Sequence, residues 1–118
     1  MPGSEKKSLD SPDETRKFEK GKVDVVNLGG GTVGRYSFEP GWKWSQHVKP
    51  IAKTDLCQSA HAMYQISGRM HVVMADGTEF DVGPGEASTV PPGHDAWVVG
   101  NEPAVGVDWS GMASYARG

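Results

Sequence analysis

Glycine is the residue that most constrains this chain, because it divides the sequence into short segments. The 118 residues include 16 glycines and 8 prolines, so glycine is about twice as frequent as the usual ~7%. From Gly21 onward, runs of roughly 4–8 residues rich in Val, Trp, Tyr, Phe and Thr lie between turns that contain Gly or Pro. This texture predicts an all-β fold of short antiparallel strands, which could form a sandwich, a small barrel or a jelly roll.

Turn signals set the boundaries of the predicted strands. Asp76-Gly77 suits a type I′ hairpin turn, in which both central residues have positive φ. Gly83–Gly85 and Pro91–Gly93 each combine proline with glycine and form turns that no helix crosses. Beyond the first twenty residues, no window shows the helical period. The predicted strands are Val23–Leu28, Thr32–Phe38, Lys43–His47, Gln58–Ser67, Met70–Ala75, Glu79–Val82, Ala87–Val90, Ala96–Val99 and Val105–Trp109.

The first twenty residues differ in composition from the rest of the chain. Residues 1–20 carry 10 of the 27 charged residues, five of each sign, and a single aromatic residue, Phe18. We interpret this segment as a charged, partly disordered N-terminal arm that Phe18 ties to the body. Residues 21–118 are predicted to form one β-barrel domain, which agrees with a chain of this length.

Charge and cysteine content narrow the partners and the compartment. The formal net charge is -3 and no basic stripe is visible, so we expect neither nucleic acid nor a membrane surface as a partner. No strongly apolar run, Trp97–Val99 included, exceeds three residues, whereas a membrane helix needs about 20. The start of the chain lacks the apolar stretch of a signal peptide. Because the single Cys57 cannot form an internal disulfide, we expect a cytoplasmic protein.

One glycine-rich motif imitates a nucleotide site. Gly29–Gly34 satisfies the pattern G-x-G-x-x-G, but a dinucleotide site also needs a helix that opens at the third glycine. Residues 35–41 instead alternate with period two and end in Pro40-Gly41. We therefore interpret the motif as a glycine hairpin loop.

One predicted strand face carries several residues that are able to bind a metal or a substrate. Alternation places Cys57, His61, Met63 and Gln65 on the same face, and the spacing of Cys57 and His61 suits two ligands of one metal ion. Met63 and Gln65 are predicted to point into the barrel. They either contact substrate, with Gln65 able to orient a ligand or a carbonyl, or fill the interior of the barrel. Tyr36 lies on a strand that we expect to line the mouth of the barrel, and is a third candidate for substrate binding.

Two further histidines extend the candidate metal site. His94 follows the Pro-Pro-Gly turn, and His47 lies at the end of a predicted strand. The candidate metal ligands are therefore His47, Cys57, His61 and His94, with Asp55 as a possible substitute. The remaining histidine, His71, is predicted to be an exposed strand residue.

The glycine and proline spacing resembles that of the cupins, whose two motifs are G(X)5HXH(X)3–4E(X)6G and G(X)5PXG(X)2H(X)3N. Gly41 precedes His47 by the five residues that open the first motif, and Gly68 can close it. Gly85 precedes Pro91 by the five residues of the second motif. The resemblance covers about residues 30–110 and implies an antiparallel β-barrel, the double-stranded β-helix or jelly roll.

The candidate ligands depart from the cupin pattern. His61 stands where the family has its glutamate, and Cys57 stands where counting back places the second histidine. Because the stretch from His47 to His61 is about eight residues longer than the family pattern, either His47 or Asp55 could fill the first ligand position. His94 lies two residues before the position of the second-motif histidine, on the same strand face.

The resemblance also implies a function. It predicts one divalent transition metal per chain; with imidazole and thiolate donors we favour Zn or Fe, with Ni and Cu behind. Similar single-domain cupins include dioxygenases, isomerases, decarboxylases and lyases, so we expect a metal-dependent enzyme that acts on a small oxygen-rich molecule. The sequence does not identify the catalytic residues. The alternative is a non-catalytic module that binds or senses a small molecule.

Aromatic residues outside the candidate site predict an assembly. Trp42 and Trp44 share the face opposite His47, and we expect them to pack under the arm or in a subunit interface. Small barrels leave sheet edges that a second copy can cover, so we expect a homodimer.

Overall fold

The structure, a computed structural model, describes residues 3–110, 112 and 115–116. This part of the chain contains nine β-strands and two single-turn helices, which confirms the all-β prediction. Its elements in chain order are β1 (Glu14–Phe18), β2 (Gly21–Leu28), β3 (Gly31–Phe38), α1 (Trp44–His47), α2 (Lys49–Ala52), β4 (His61–Ser67), β5 (Arg69–Met74), β6 (Glu79–Val82), β7 (Ala87–Val90), β8 (His94–Val99) and β9 (Ala104–Asp108).

The strands form two antiparallel sheets that enclose the core. The larger sheet has the order β1-β2-β3-β9-β4-β7 and the smaller one the order β6-β5-β8. Burial alternates along the strands, so that His61, Met63 and Gln65 of β4 are buried while Tyr64 and Ile66 are exposed. Because successive side chains of a strand point to opposite faces, each sheet turns one apolar face toward the other. This arrangement is the jelly roll that the cupin resemblance implies.

The charged N-terminal segment contributes an edge strand to the larger sheet. Within residues 1–20, β1 pairs antiparallel with β2, and Thr15 lies opposite Asp24. The Asp24 carboxylate accepts hydrogen bonds from the Thr15 hydroxyl at 2.9 Å and from Arg35 at 3.1 Å. Arg35 also donates to Asp10 at 2.9 Å. These charge-assisted contacts hold the segment against the sheet, and the partly buried Phe18 packs against the core.

The predicted strand Lys43–His47 is wrong, because the chain forms α1 there. The Lys43 amide N–H donates to His47 Nδ1 at 3.0 Å, and the His47 N–H donates back to the Lys43 carbonyl at 2.9 Å. One helical turn is too short to show a periodic pattern, which explains why the sequence did not reveal it. Among the described residues, no helix has the length and hydropathy needed to span a bilayer.

The hairpin predicted at Asp76-Gly77 connects β5 to β6, but its turn differs from the predicted type. Gly77 has a φ of +90°, whereas Asp76 has no positive φ. The Met74 carbonyl accepts from the Gly77 N–H at 3.0 Å, and the Met74 N–H donates to Thr78 at 2.8 Å. This is a type I turn followed by a left-handed glycine, the usual three-residue hairpin loop. The type I′ prediction is therefore wrong, although the hairpin lies where it was expected.

Aromatic side chains fill much of the space between the sheets. The rings of Phe38 and Trp42 stack with centroids 3.8 Å apart, and the rings of Tyr36 and Phe38 stack with centroids 5.2 Å apart. Trp42 and Trp44 are both 2% exposed. The expectation that these two tryptophans pack under the arm or in an interface is therefore wrong, since they belong to the core of a single chain.

Candidate metal centre

Three of the predicted metal ligands lie together between the two sheets. His61 is the first residue of β4 and His94 is the first residue of β8. Cys57 precedes β4 and forms an isolated antiparallel bridge with His94, in which its N–H donates to the His94 carbonyl at 2.8 Å. One potential ligand atom from each of the three residues lies within 4.8 Å of the other two, and all three residues are buried.

Hydrogen bonds orient both imidazole rings. His94 Nδ1 lies 2.8 Å from the Pro91 carbonyl oxygen, which can only accept, so Nδ1 of His94 carries a hydrogen. His61 Nδ1 donates in the same way to the Asp108 carboxylate. Each ring therefore has its Nε2 left for a ligand, and His61 Nε2 lies 3.8 Å from Cys57 Sγ. Metal-binding histidines typically have their second ring nitrogen held in this manner by a carboxylate or a backbone carbonyl.

Asp108 is the anchor of this arrangement and is fully buried. Its Oδ2 accepts from His61, while its Oδ1 accepts from the backbone N–H of Ser110 at 2.8 Å and that of Ala62 at 3.3 Å. It is the last residue of β9, which pairs with both β3 and β4. Asp108 was not among the candidate residues predicted from the sequence. The signal was an acidic residue on the inward face of a predicted strand, next to Gly106 in the alternation.

The thiol and the imidazole change each other's pKa in the metal-free chain. Burial raises the pKa of Cys57, but hydrogen bonds from His61 and His94 outweigh it and bring that pKa down to about 6. Burial likewise lowers the pKa of His61, but the hydrogen bonds to Asp108 and Cys57 raise it to about 9. Near neutral pH, the pair is a thiolate beside an imidazolium. A thiolate is the form of cysteine that binds metals.

The donor set fits a transition metal with three protein ligands. Zn–S and Zn–N bonds are about 2.3 and 2.0–2.1 Å long, so donors separated by 3.8 Å can share one ion after a small inward movement. Two imidazoles and one thiolate suit Zn, Fe, Ni and Cu, whereas Mg and Mn prefer oxygen donors. Three protein ligands leave a fourth position open for water or another small molecule.

A small cavity adjoins the cluster. Its volume is about 30 Å³, enough for about two water molecules when one needs ~10–15 Å³ by this measure. His61 and His94 reach it, their ring centroids 5.1 Å apart. Most of its lining is aromatic or aliphatic, and the lining residues are Tyr36, Phe38, Trp42, Trp44, His61, Met63, Met70, Val72, Val90, His94, Ala96, Asp108, Met112 and Tyr115.

The structure places the fourth predicted ligand elsewhere. His47 ends α1, where its Nδ1 accepts from Lys43 and its Nε2 lies 3.9 Å from a Glu19 carboxylate oxygen. Asp55, the predicted substitute, has a fully exposed side chain 3.5 Å from Lys49. Neither residue joins the Cys57 cluster, because α1 replaces the predicted strand that ended at His47, and Asp55 lies in an exposed loop.

The three predicted substrate residues lie at the cavity or directly behind it. Met63 and Tyr36 are part of its lining. Gln65 is fully buried, and its Oε1 accepts from the Tyr36 hydroxyl at 2.6 Å. Its amide nitrogen donates to the Ser67 carbonyl at 2.9 Å. Gln65 is thus occupied in fixing Tyr36, and it does not line the cavity.

Other cavity residues were not expected from the sequence. Trp42 and Trp44 line it, and so do Met112 and Tyr115, which follow the last strand. The Tyr115 ring meets His61 edge-on, with centroids 5.5 Å apart. The remaining histidine, His71, lies partly exposed on β5 as predicted, away from this cluster.

Comparison with solved structures identifies the fold. A protein of unknown function from Rhizobium leguminosarum superposes with a TM-score of 0.68 at 22% identity, covering 92% of this chain and 97% of the other. The polyketide cyclase RemF from Streptomyces resistomycificus gives 0.64 at 16% identity, with 92% and 79% coverage. An oxalate decarboxylase from Lactobacillus farciminis gives 0.62 at 19% identity over 86% of this chain.

These similarities define an all-β protein with the cupin fold, and the predicted resemblance is confirmed at that level. The chain spans about a third of the oxalate decarboxylase, of which it covers 32%. At these identities the likeness concerns the fold alone. No protein-family model and no curated protein sequence matches the chain.

Proposed function

We propose that this chain is a metal-binding cupin in which Cys57, His61 and His94 hold one divalent transition ion. The observation that carries the proposal is the common orientation of the two rings, each tied through Nδ1 to an acceptor behind it. Zn and Fe are the favoured ions, with Ni and Cu behind, because the set contains one thiolate and no oxygen donor. Apolar residues would pack at least as well in these buried positions as Cys57, His61 and His94 do. Packing alone therefore does not explain why this chain has these three residues there.

The proposed activity is that of a metal-dependent enzyme acting on a small molecule. When bound, the ion would polarise an oxygen of the substrate or activate water at its open position. The chain supplies the rest of the site: Asp108 and the Pro91 carbonyl keep the rings aligned, and the apolar lining excludes bulk water. The similar structures include an oxalate decarboxylase and a polyketide cyclase, which supports small-molecule chemistry on this fold.

Charge narrows the class of substrate. The Cys57 thiolate and the Asp108 carboxylate bring two negative charges to the site, which balance a divalent ion. Among the described residues that line the cavity there is no lysine or arginine. An unbalanced buried charge is costly, so the site is suited to a neutral molecule that offers one oxygen donor. A dianion such as oxalate would lack a partner there.

A second candidate is a non-catalytic module that binds or senses a small molecule. Its support is the lack of a proton-transfer group among the described lining residues outside the cluster. Burial raises the pKa of Tyr36 and of Tyr115, and the Asp108 carboxylate is already occupied by three donors. A tight ligand that is released unchanged would favour this function over catalysis.

Metal titration of purified chain tests the proposal. An ion at a hundred times its dissociation constant stabilises the folded state by about 2.7 kcal/mol, which raises the melting temperature of a domain this size by about 10 °C. Cys57→Ser and His94→Ala should abolish most of this rise and the stoichiometric metal measured by mass spectrometry. His71→Ala is the matched control and should behave as wild type. If none of Zn, Fe, Ni and Cu stabilises the wild type, the proposal fails.

The homodimer also stays a prediction. Its support is three exposed apolar side chains on the outward side of the larger sheet and at its margin: Tyr64, Ile66 and Trp109, which are 42%, 49% and 56% exposed. Light scattering after gel filtration should give twice the chain mass, and Ile66→Lys should halve it. A monomeric wild type at micromolar concentration contradicts the prediction.

A further inference from the structure

Two residues that follow the last strand occupy the cavity beside the candidate metal centre. Met112 is 2% exposed and Tyr115 is 5% exposed, and both line the cavity. Tyr115 also covers one side of the His61 ring. The other lining residues belong to strands, to α1 or, for Trp42, to a segment whose carbonyl accepts from the Val98 N–H at 3.0 Å. Among the described lining residues, Met112 and Tyr115 are therefore the two that neither a strand, nor α1, nor a backbone bridge to a strand holds.

A single arginine on the edge strand holds both residues in place. Arg16 of β1 is 8% exposed, and its Nη1 donates to the carbonyl oxygens of Met112 and Tyr115, each at 2.7 Å. Glu14 pairs with the other side of the guanidinium through Nε at 2.9 Å and Nη2 at 3.0 Å. The guanidinium and Met112 are 96 residues apart in sequence. Hydrogen bonds of a charged donor to carbonyls are among the stronger ones in proteins, so Arg16 acts as a clamp.

Strand β3 has a glycine, Gly34, at the position where the Met112 side chain packs against it. At Gly34 of β3, an added Cβ would lie 2.3 Å from Cγ and 2.6 Å from Sδ of Met112. The backbone of Gly34 has no positive φ that would by itself require glycine. Gly34 is therefore required at this position because the Met112 side chain occupies the space that any larger residue would need.

We propose that Met112 and Tyr115, clamped by Arg16, form a gate that sets the size of molecule able to reach Cys57 and the two histidines. With the gate seated, the remaining space of about 30 Å³ admits only a molecule the size of one or two waters. A larger molecule requires Met112 and Tyr115 to leave their seats, and the Arg16 hydrogen bonds oppose that movement. As a specificity device the gate rests on the proposed function, but the protection it gives to Cys57 does not depend on any metal.

The reactivity of Cys57 in the metal-free chain tests the gate, because this residue is the single cysteine. The measurement is the rate of thiol modification by methyl methanethiosulfonate, which is small, and by Ellman's reagent, which is bulky. Each rate is divided by the rate for the urea-unfolded chain at the same pH. Both reagents are larger than the remaining space of about 30 Å³, so we expect the native wild type to protect Cys57 from each of them. The protection should be at least tenfold stronger against Ellman's reagent, because its entry requires a larger displacement of Met112 and Tyr115.

Two variants that displace the gate in different ways distinguish its opening from a general destabilisation of the fold. Arg16→Met removes the clamp, and Gly34→Ala pushes Met112 from its seat; each should raise the rate with Ellman's reagent at least tenfold while changing the rate with the small reagent less. Arg35→Met is the matched control, since it removes an ion-paired arginine of the same sheet whose hydrogen bonds go to Leu9, Asp10 and Asp24.

Circular dichroism and urea unfolding identify variants that fail to fold. If Arg16→Met unfolds, Gly34→Ala and Tyr115→Ala decide the question. Folded gate variants that keep the wild-type protection against both reagents overturn the gate. A failure of the metal-binding proposal gives a different result. The chain would then bind no metal, while Cys57 would still be protected more strongly from the bulky reagent than from the small one.

Discussion

Replacing Asp108 by asparagine tests how the candidate centre holds its metal. The substitution keeps the shape of the side chain but makes one of its two terminal atoms a hydrogen-bond donor. Oδ1 of Asp108 accepts from two backbone N–H groups, those of Ala62 and Ser110. The asparagine oxygen must take this position, because an NH2 group there would face two donors. Its NH2 group then points at His61.

The substitution changes which ring nitrogen of His61 carries the hydrogen. Facing an NH2 group, Nδ1 of His61 has to accept, so the proton of the neutral ring moves to Nε2. That atom is the one that lies 3.8 Å from Cys57 Sγ and would bind the metal. Loss of such an orienting partner typically lowers metal affinity by about 10–100-fold, which equals about 1.4–2.7 kcal/mol. A neutral ring also stabilises the thiolate less than an imidazolium does, so the pKa of Cys57 should rise above about 6, in the direction of its ordinary value of 9.0.

Two assays measure these effects in the same preparation. Competition with a chromophoric chelator gives the metal affinity, and thiolate absorbance near 240 nm gives the thiol pKa of the metal-free chain. Asp24→Asn is the matched control, because Asp24 is also a buried carboxylate of the larger sheet, with Thr15 and Arg35 as its partners. If Asp108→Asn keeps an affinity within twofold of wild type and a thiol pKa near 6, the assigned role of Asp108 is refuted.

Two further predictions concern stability. Gly68→Ala should destabilise the fold by about 1–3 kcal/mol or more, because Gly68 has a φ of +72° and an added Cβ would lie 2.2 Å from the Pro103 oxygen. Gly77→Ala, with a φ of +90° but open space around it, should cost less in urea unfolding, and equal costs would contradict the steric argument. The second prediction is a pH dependence in the metal-free chain. A pKa of Cys57 lowered from 9.0 to about 6 stabilises the fold above pH 9, and this contribution is lost as pH falls through 6. The stability difference between wild type and Cys57→Ser, measured by urea unfolding from pH 5 to 9, should therefore grow with pH; a flat difference contradicts it.

The fold and most of the site follow from local features of the sequence. Glycine and proline spacing defines the turns, and alternation along one strand places His61, Met63 and Gln65 on its buried face. The second-motif turn brings His94 to the start of β8. These features can be recognised from the sequence because strand alternation and turn motifs each involve only a few consecutive residues.

The remaining parts of the site depend on contacts between distant residues. Asp108 reaches His61 across 47 positions, and Arg16 reaches Met112 across 96; no local pattern reports such pairs. His47 was misplaced for the opposite reason, since a single helical turn formed by its own hydrogen bond to Lys43 replaced a predicted strand. The turn at Gly77 shows that even a correct hairpin prediction does not fix the backbone conformation of each turn residue.

Anomalous diffraction from crystals of metal-loaded protein tests the central claim most directly. Data on both sides of the absorption edge of the bound metal locate the ion and identify it. We predict one peak per chain between Cys57 Sγ and the Nε2 atoms of His61 and His94, with a fourth position open to the cavity. A crystal soaked in Zn or Fe that shows no peak among these three atoms, or a peak held by other residues, would contradict the account.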